Sequence, residues 1–430
     1  MVISLVHKHK QILAVLVLIV VVLVIMVMRK IDQTSGTAVT SSAISTASAS
    51  SATSSALPLG AAPVQATPAE AQPEMRAVWV TYMDLDMSGA SNRSQAAFQK
   101  KYDAIVQNAK ARGMNALIVH VRPFSDAMYP SKLYPWSHLV GGTQGVNPGF
   151  DPLAYMVEAT HKAGLQFHAW VNPMRVTLNG LPSILSENNP WNVFRSDPKR
   201  KDWAVEYNKN KYLDPGWSGV RDYIVNGVKE IVQNYDVDGV QYDDYFYPDQ
   251  NADFDKASYA AYCKSAKGSP LSLEKWRCEN INALLKATYQ AVKAARPDAV
   301  FGVSPQGNLK NDLEMGADVS VWCQHSGYVD YICPQLYYNY DNPVLPYASA
   351  AKTWKNLVTE KSVKLYFGLG LYKIGTDADK GSWKNSTDTI ARQVETGRSL
   401  GCNGFMFYAY EDLISSNRKQ EVQNVMKLFT

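Results

Sequence analysis

Asp243 and Asp244 stand side by side in the run Asp236-Val237-Asp238-Gly239-Val240-Gln241-Tyr242-Asp243-Asp244-Tyr245-Phe246-Tyr247-Pro248. The segment reads as a short apolar strand that stops on two carboxylates and enters an aromatic loop. In a barrel enzyme the carboxyl end of a strand faces the open mouth, which is where acid–base groups belong. Two acids followed by Tyr245, Phe246 and Tyr247 suit chemistry on a sugar, with carboxylates for the bond and flat rings for stacking. A polar turn is the competing reading, since Asp is a common turn former.

Glycoside hydrolysis needs an acid for the leaving oxygen and a base, nucleophile or neighbouring group at the anomeric carbon. Side chains alternate faces along a strand. Asp243 therefore shares a face with Gln241 and points into the mouth, while Val240 and Tyr242 take the other face. Asp244 either turns into the loop or presses against Asp243, which would raise one of the two pKa values. Candidate partner acids are Asp84 and Asp86 after the first strand, Asp126 after the second and Glu411 after the eighth. Glu411 is favoured, because Tyr408-Ala409-Tyr410-Glu411-Asp412 repeats the strand, aromatic and acid layout. The predicted catalytic set is Asp243, Asp244 and Glu411. The same alternation puts His120 with Arg122 on the second strand, His168 with Trp170 and Asn172 on the third, and Gln335 with Tyr337 on the sixth. These polar faces should converge in one mouth and, with Asp126 and Tyr245, bind substrate. The Asp pairs lack a third ligand at a telling spacing, and the chain has no CxxC or Cys/His pattern suited to zinc. No metal and no cofactor is expected.

Eight β-rich runs must carry these residues: Arg76 to Tyr82, Ala116 to Arg122, Gln166 to Asn172, Gly239 to Asp243, Val300 to Ser304, Tyr331 to Gln335, Lys364 to Gly368 and Gly404 to Tyr408. Helical patterns alternate with them: Ser94 to Arg112, Pro152 to Ala163, Gly219 to Tyr235, Leu273 to Arg296, Val319 to His325, Pro346 to Glu360, Thr387 to Leu400 and Asn417 to Phe429. Gly113, Gly164 and Gly401 fall where helix ends want glycine. Eight β/α units over residues 74–430 predict an α/β fold, a (β/α)8 TIM-type barrel with enlarged loops. A doubly wound sheet is the runner-up, but it lacks a Gly-rich phosphate turn after a strand. Long insertions at 173–214 and 245–272 rise on the catalytic face and should wall a cleft.

The rest of the chain is not barrel-like. Residues 12–28 are seventeen apolar residues free of charge and proline, about 26 Å of helix, near the lower limit for a bilayer. A cleaved signal has an apolar core of about 7 to 15 residues and a small-residue site close behind. Here the nearest Ala-x-Ala is Ala47 to Ala49, so an uncleaved transmembrane signal anchor is expected, with residues 1–11 as a cytoplasmic tail. Residues 29–73 form a linker, Ser/Thr/Ala-rich with prolines at its far end, whose composition cannot bury enough surface to fold. The expected location is the cell membrane, single-pass, with the barrel outside. Lys8, Lys10, Arg29 and Lys30 account for the whole net charge of +4, so the remainder is neutral and a nucleic-acid partner is excluded. A monomer is expected. Cys263 and Cys278 are open to pairing in an oxidising compartment, while Cys323, Cys333 and Cys402 read as small buried residues.

Several motifs together resemble the glycosyl-hydrolase-like family ten. They are Arg76-Ala77-Val78-Trp79-Val80, His120-Val121-Arg122-Pro123-Phe124-Ser125-Asp126, His168-Ala169-Trp170-Val171-Asn172-Pro173-Met174-Arg175, Tyr212-Leu213-Asp214-Pro215-Gly216, the Asp243 run, Phe301-Gly302-Val303-Ser304-Pro305 and Cys333-Pro334-Gln335-Leu336-Tyr337-Tyr338. The resemblance implies a TIM-type barrel of the bacterial envelope with glycosidase activity on a cell-wall glycan. Peptidoglycan strands lacking stem peptides are the leading substrate it implies. Arg175 and Tyr338, inside these motifs, join the predicted substrate-binding set. A fainter similarity runs to chitinase-type barrels, whose fourth strand ends in Asp-Gly-x-x-x-Asp with a Glu acid two residues on. Tyr245 holds that place here, which leaves a substrate-assisted route with Asp243 orienting an N-acetyl group. The other readings are a catalytically inactive glycan-binding barrel and a hydrolase of another envelope polysaccharide. A polysaccharide deacetylase would want a His/Asp metal site that the sequence lacks.

Overall fold

A computed structural model describes residues 73–429. The predicted tail, anchor and residues 29–72 of the linker lie outside the described residues. Among the described residues no helix is long and apolar enough to cross a membrane.

Eight parallel strands close into a barrel in the order β1-β10-β9-β8-β7-β6-β3-β2. They are β1 (Met75–Val80), β2 (Ala116–Arg122), β3 (Gln166–Val171), β6 (Gly239–Tyr242), β7 (Val300–Val303), β8 (Tyr331–Ile332), β9 (Lys364–Gly370) and β10 (Gly404–Tyr408), with β4 (Ala204–Tyr207) and β5 (Asn210–Leu213) forming a separate hairpin. A principal helix follows each barrel strand: α1 (Gln95–Ala111), α2 (Pro152–Lys162), α3 (Ser218–Asn234), α4 (Leu273–Ala295), α5 (Val319–Gln324), α6 (Tyr347–Leu357), α7 (Thr389–Leu400) and α8 (Lys419–Met426). This is the expected (β/α)8 barrel.

Alternation along the strands divides the apolar side chains into two cores. Outward residues such as Val78, Leu117, Val119, Phe167, Val240, Phe301 and Phe405 pack under the helices. Inward residues, among them Ala77, Trp79, Ile118, Trp170, Tyr331 and Met406, fill the barrel itself. One polar group organises this interior. Gln241 accepts from Trp79 Nε1 at 2.6 Å, and its Nε2 donates to Tyr331 Oη at 3.3 Å and Met406 Sδ at 3.4 Å. The side chain thus ties β6 to β1, β8 and β10. Gly302 on β7 has no room for more than a hydrogen, because a Cβ there would overlap the Tyr331 ring.

Where the structure departs from expectation, a local cause is visible. The first strand stops at Val80 because Thr81 turns into a helix cap, donating its N–H to Asp84 Oδ2 at 2.7 Å and accepting from Asp84 N. β8 is only two residues long, since Pro334 has no N–H to donate; Gln335 rejoins the sheet as isolated bridges to Gln306 and Gly368. The hairpin β4–β5 lies inside the insertion after β3. Its turn is Asn208-Lys209, both at positive φ (47° and 64°), without the glycine that would have announced it. All five cysteines are free thiols, so the pairing open to Cys263 and Cys278 is not made.

The two long insertions are stitched into one wall. Tyr207 Oη donates to Asp249 Oδ2 at 2.6 Å, and Ser258 Oγ donates to Asp214 Oδ2 at 2.6 Å. Arg277 of α4 grips Asp255 through Nε and Nη2, both at 2.7 Å, and reaches the carbonyls of Asp249 and Asn251. Asp214 is fully buried. Burial pushes its carboxyl up to about 7, with the Ser258 and Gly216 donors only partly offsetting it. A carboxyl raised this way contributes stability that is complete below its unfolded value near 4 and is lost as pH rises through 7, at no more than about 1.4 kcal/mol per pH unit. Thermal melts of wild type should therefore fall between pH 4 and 7 by a component that Asp214→Asn removes. An identical decline in both proteins would show that Asp214 is not the titrating group.

Candidate active site

The carboxyl ends of the strands gather most of the predicted residues. Asp243 follows β6 directly and projects inward, on the Gln241 face, and is buried. Two donors from β3 and the residue after it meet on one oxygen: Trp170 Nε1 reaches Asp243 Oδ2 at 3.1 Å, and Asn172 Nδ2 donates to the same atom. The other oxygen accepts the Tyr245 N–H at 3.3 Å. Asp244 also belongs to the mouth. Its Oδ1 accepts from Gln335 Nε2 at 2.9 Å, and that amide donates as well to the Ser304 carbonyl at 3.1 Å. Of the two placements open for Asp244, the structure shows the one beside Asp243.

Arg175, buried after β3, lies between rings. Its guanidinium carbon is 5.1 Å from the Phe124 centroid and 5.1 Å from that of Tyr245. Nε donates to the Pro123 carbonyl at 3.0 Å and Nη2 to Asn172 Oδ1. His120 stacks flat on Trp170, centroids 3.8 Å apart, with Nε2 2.8 Å from Asn172 Oδ1. On the opposite side stands an aromatic wall. Tyr337 packs on Tyr408 at 5.7 Å, and Tyr372 meets both edge-on at 5.8 and 6.0 Å. Trp79 touches Tyr408 at 6.0 Å. Tyr245 and Tyr372 remain open to solvent, 50% and 38% exposed.

The electrostatics follow from burial beside a like charge. The Asp243 carboxyl is raised first by burial and then by Asp244, while Arg175, Trp170 and the Tyr245 N–H pull it partly back. Asp244 is raised by burial, with Gln335 and Arg175 opposing. Two adjacent carboxyls of this kind titrate as a unit, so one of them keeps its proton into a range where an isolated Asp has lost it. The mouth thus holds an acid and a base together. His120 is driven well below the ordinary histidine value by burial and by Arg175, and stays neutral.

Five predicted residues sit elsewhere. Arg122 does not share the His120 face: the register of β2 against β3 shifts between His120 and Arg122, and this bulge turns the arginine outward. Its guanidinium lies 4.4 Å from the Tyr134 centroid, packed against Gly227 of α3. His168 does point inward, but a layer below Trp170, next to Tyr331 Oη at 3.3 Å and filling the space that Gly239 leaves. Asp126 is buried in loop packing, accepting from Gln144 Nε2 at 3.3 Å with His138 at 3.5 Å. Glu411 is exposed in the first turn after β10, where it acts on Asp84 and Asp412, whereas the charges acting on Asp243 are Asp244 and Arg175. Tyr338 turns the opposite way from Tyr337, against Gly307. Tyr372 and Tyr408 were missed as site residues. Tyr372 had a signal, standing two residues past the Gly370 that ends β9, and Tyr408 reads in sequence only as part of a strand. Among the described residues no group of three or more His, Cys, Asp or Glu is placed to hold a metal ion.

Comparison with known proteins agrees with this architecture. The catalytic domain of β-amylase from Paenibacillus polymyxa superposes with a TM-score of 0.55 at 11% identity, covering 83% of this chain and 98% of that one. The PgaB (BpsB) glycoside hydrolase domain from Bordetella bronchiseptica gives 0.53 at 14% identity, covering 82% and 99%. At such identities the likeness is one of fold. Sequence relatives are nearer: glycosyl hydrolase YngK of Bacillus subtilis is 36% identical over 359 residues, 79% of this chain and 69% of its own length. Glycosyl hydrolase DigH of Escherichia coli K12 is 33% identical over 323 residues, 70% and 72%. Residues 74–385 match the family described as glycosyl hydrolase-like 10, and the chain belongs to that family.

Proposed function

We propose that this protein is a glycoside hydrolase of a cell-wall glycan, with Asp243 and Asp244 as the reacting pair. The observation that carries the reading is Asp243 itself: a buried carboxyl at the barrel mouth, held by Trp170 and Asn172 and raised by its neighbour. A protonated member of the pair can give its proton to the glycosidic oxygen, and the ionised member can steady the positive charge that grows at the anomeric carbon. In a substrate-assisted route the ionised carboxylate instead orients the N–H of a 2-acetamido group while its carbonyl attacks. Both routes need Asp243 fixed and its charge controlled. Tyr245 and the Tyr337–Tyr372–Tyr408 wall supply flat apolar faces for pyranose rings.

The substrate proposed is an N-acetylated glycan, peptidoglycan strands free of stem peptides. The support is family membership, the naming of the relatives as glycosyl hydrolases and the residues shared with the family motifs. The place of action proposed is the outer face of the cytoplasmic membrane, reached through the apolar run at 12–28. A barrel that binds such glycans without cutting them is the alternative outcome.

Incubation of the purified protein with denuded glycan strands, read by mass spectrometry of released fragments, tests the activity. Asp243→Asn should lower turnover by about 10³-fold or more, as loss of a reacting carboxyl does, while leaving strand binding within a few-fold. Unchanged turnover in that variant removes Asp243 from the mechanism, and binding without any cleavage by wild type identifies a binding protein. Arg175→Met gives a second check. Arg175 lowers both carboxyls, so its loss should move the acidic limb of kcat/KM to higher pH. A limb that stays put or moves down would contradict the assigned field.

A further inference from the structure

The Asn172 amide makes three contacts at the mouth, and their chemistry admits one arrangement. Arg175 Nη2 can only donate, so the amide atom facing it is the oxygen. The amide nitrogen then faces Asp243 Oδ2. The same amide oxygen lies 2.8 Å from His120 Nε2. Two acceptors cannot share a hydrogen bond, so Nε2 carries the proton and Nδ1 is bare; that atom is buried without a partner. The ring is pinned as well, stacked within 10° of the Trp170 plane, and Trp170 donates to the Asp243 oxygen that Asn172 holds. One carboxylate oxygen thus receives both side-chain donors, and the other accepts only a longer backbone contact at 3.3 Å.

We infer that Asn172 is a positioning residue that locks Asp243 Oδ2 and presents Oδ1 to the sugar, and that His120 holds Asn172 as a permanently neutral N–H donor. His120 therefore exchanges no proton with substrate, although a histidine at a barrel mouth invites that role. The inference rests on the reading of Asp243 as a reacting carboxyl. Around Asp243 the titratable and charged groups are Asp244 and Tyr245 from its own loop, Arg175 from the insertion after β3 and Tyr408 from β10. Of these only Arg175 bonds Asn172, through Nη2, and it keeps its Nε bond to the Pro123 carbonyl when Asn172 is changed.

The test is the pH dependence of kcat and KM on denuded glycan strands, measured with the full chain. Asn172→Ala should lower kcat by about 10²-fold, the cost of a reacting group displaced by an ångström, with KM within about threefold. Loss of a donor to the carboxylate should also shift the acidic limb upward. Asn172→Asp keeps the shape, so it folds where the alanine variant fails to, yet sets a second acceptor against Asp243; the same loss of kcat is expected. His120→Ala should lose kcat, and His120→Gln should restore most of it, because the glutamine amide nitrogen takes the place of Nε2. Both limbs of the profile should survive in His120→Gln. The inference is overturned if His120→Gln stays inactive and a limb disappears, which would make His120 a proton-transfer group, or if both Asn172 variants keep wild-type kcat. Asp243→Asn run alongside separates the two claims: full activity there defeats the catalytic reading, whereas an inactive Asp243→Asn beside unaffected Asn172 variants defeats only the positioning role.

Discussion

Two adjacent carboxyls withdrawn from water at the end of β6 impose the constraint to which the rest of the mouth answers. Removing a carboxylate from water costs several kcal/mol even after relaxation, and a second one alongside adds repulsion. Hydrogen bonds to a charged group return about 1.5–3 kcal/mol each. Trp170, Asn172 and the Tyr245 N–H on Asp243, with Gln335 on Asp244, offset part of that cost. The remainder shows as raised carboxyls and a retained proton. Arg175 acts on both as a nearby cation while its own donors are engaged with Asn172 and Pro123. A tight ion pair would have held the acids fully ionised and left no proton to give.

That balance holds only if the groups cannot drift, and the barrel interior explains why they do not. Trp79, Gln241, Tyr331 and Met406 form one bonded layer beneath Asp243, and His168 fills the space beside Gly239. Two residues farther along the same inward faces, these strands present Asp243 and Trp170. Below lies a packed layer and above lies the wall made by two stitched insertions. Preorganisation of this kind is what the proposed reacting role of Asp243 requires.

Alternation of side chains was enough to place the barrel, the eight strands and the inward direction of Asp243, because that period depends only on the backbone pleat. It failed at Arg122, where one bulged residue reverses the face. Nothing in His120-Val121-Arg122-Pro123 marks the bulge except the proline that follows. Depth along a strand is also invisible to alternation: His168 and Trp170 share a face, yet only Trp170 reaches the mouth. Glu411 was chosen because its surroundings repeat those of Asp243, but a layout repeated in sequence says nothing of distance across a mouth. The Asn172 joint could not be read at all, since it arises from three residues on two strands and a loop meeting in space.

The central claim is that Asp243 and Asp244 share a proton beyond the range of an ordinary aspartate. Its most direct measurement is a pH titration of the aspartate side-chain carboxyls by NMR, with 13C-labelled aspartate in wild type and in Asp243→Asn. The account predicts a carboxyl signal in wild type that titrates far above the ordinary value of 3.8 and is missing from the variant. Asp244 should then titrate lower, freed from its charged neighbour. If no high-titrating signal depends on Asp243, the mouth does not hold the acid–base pair described here.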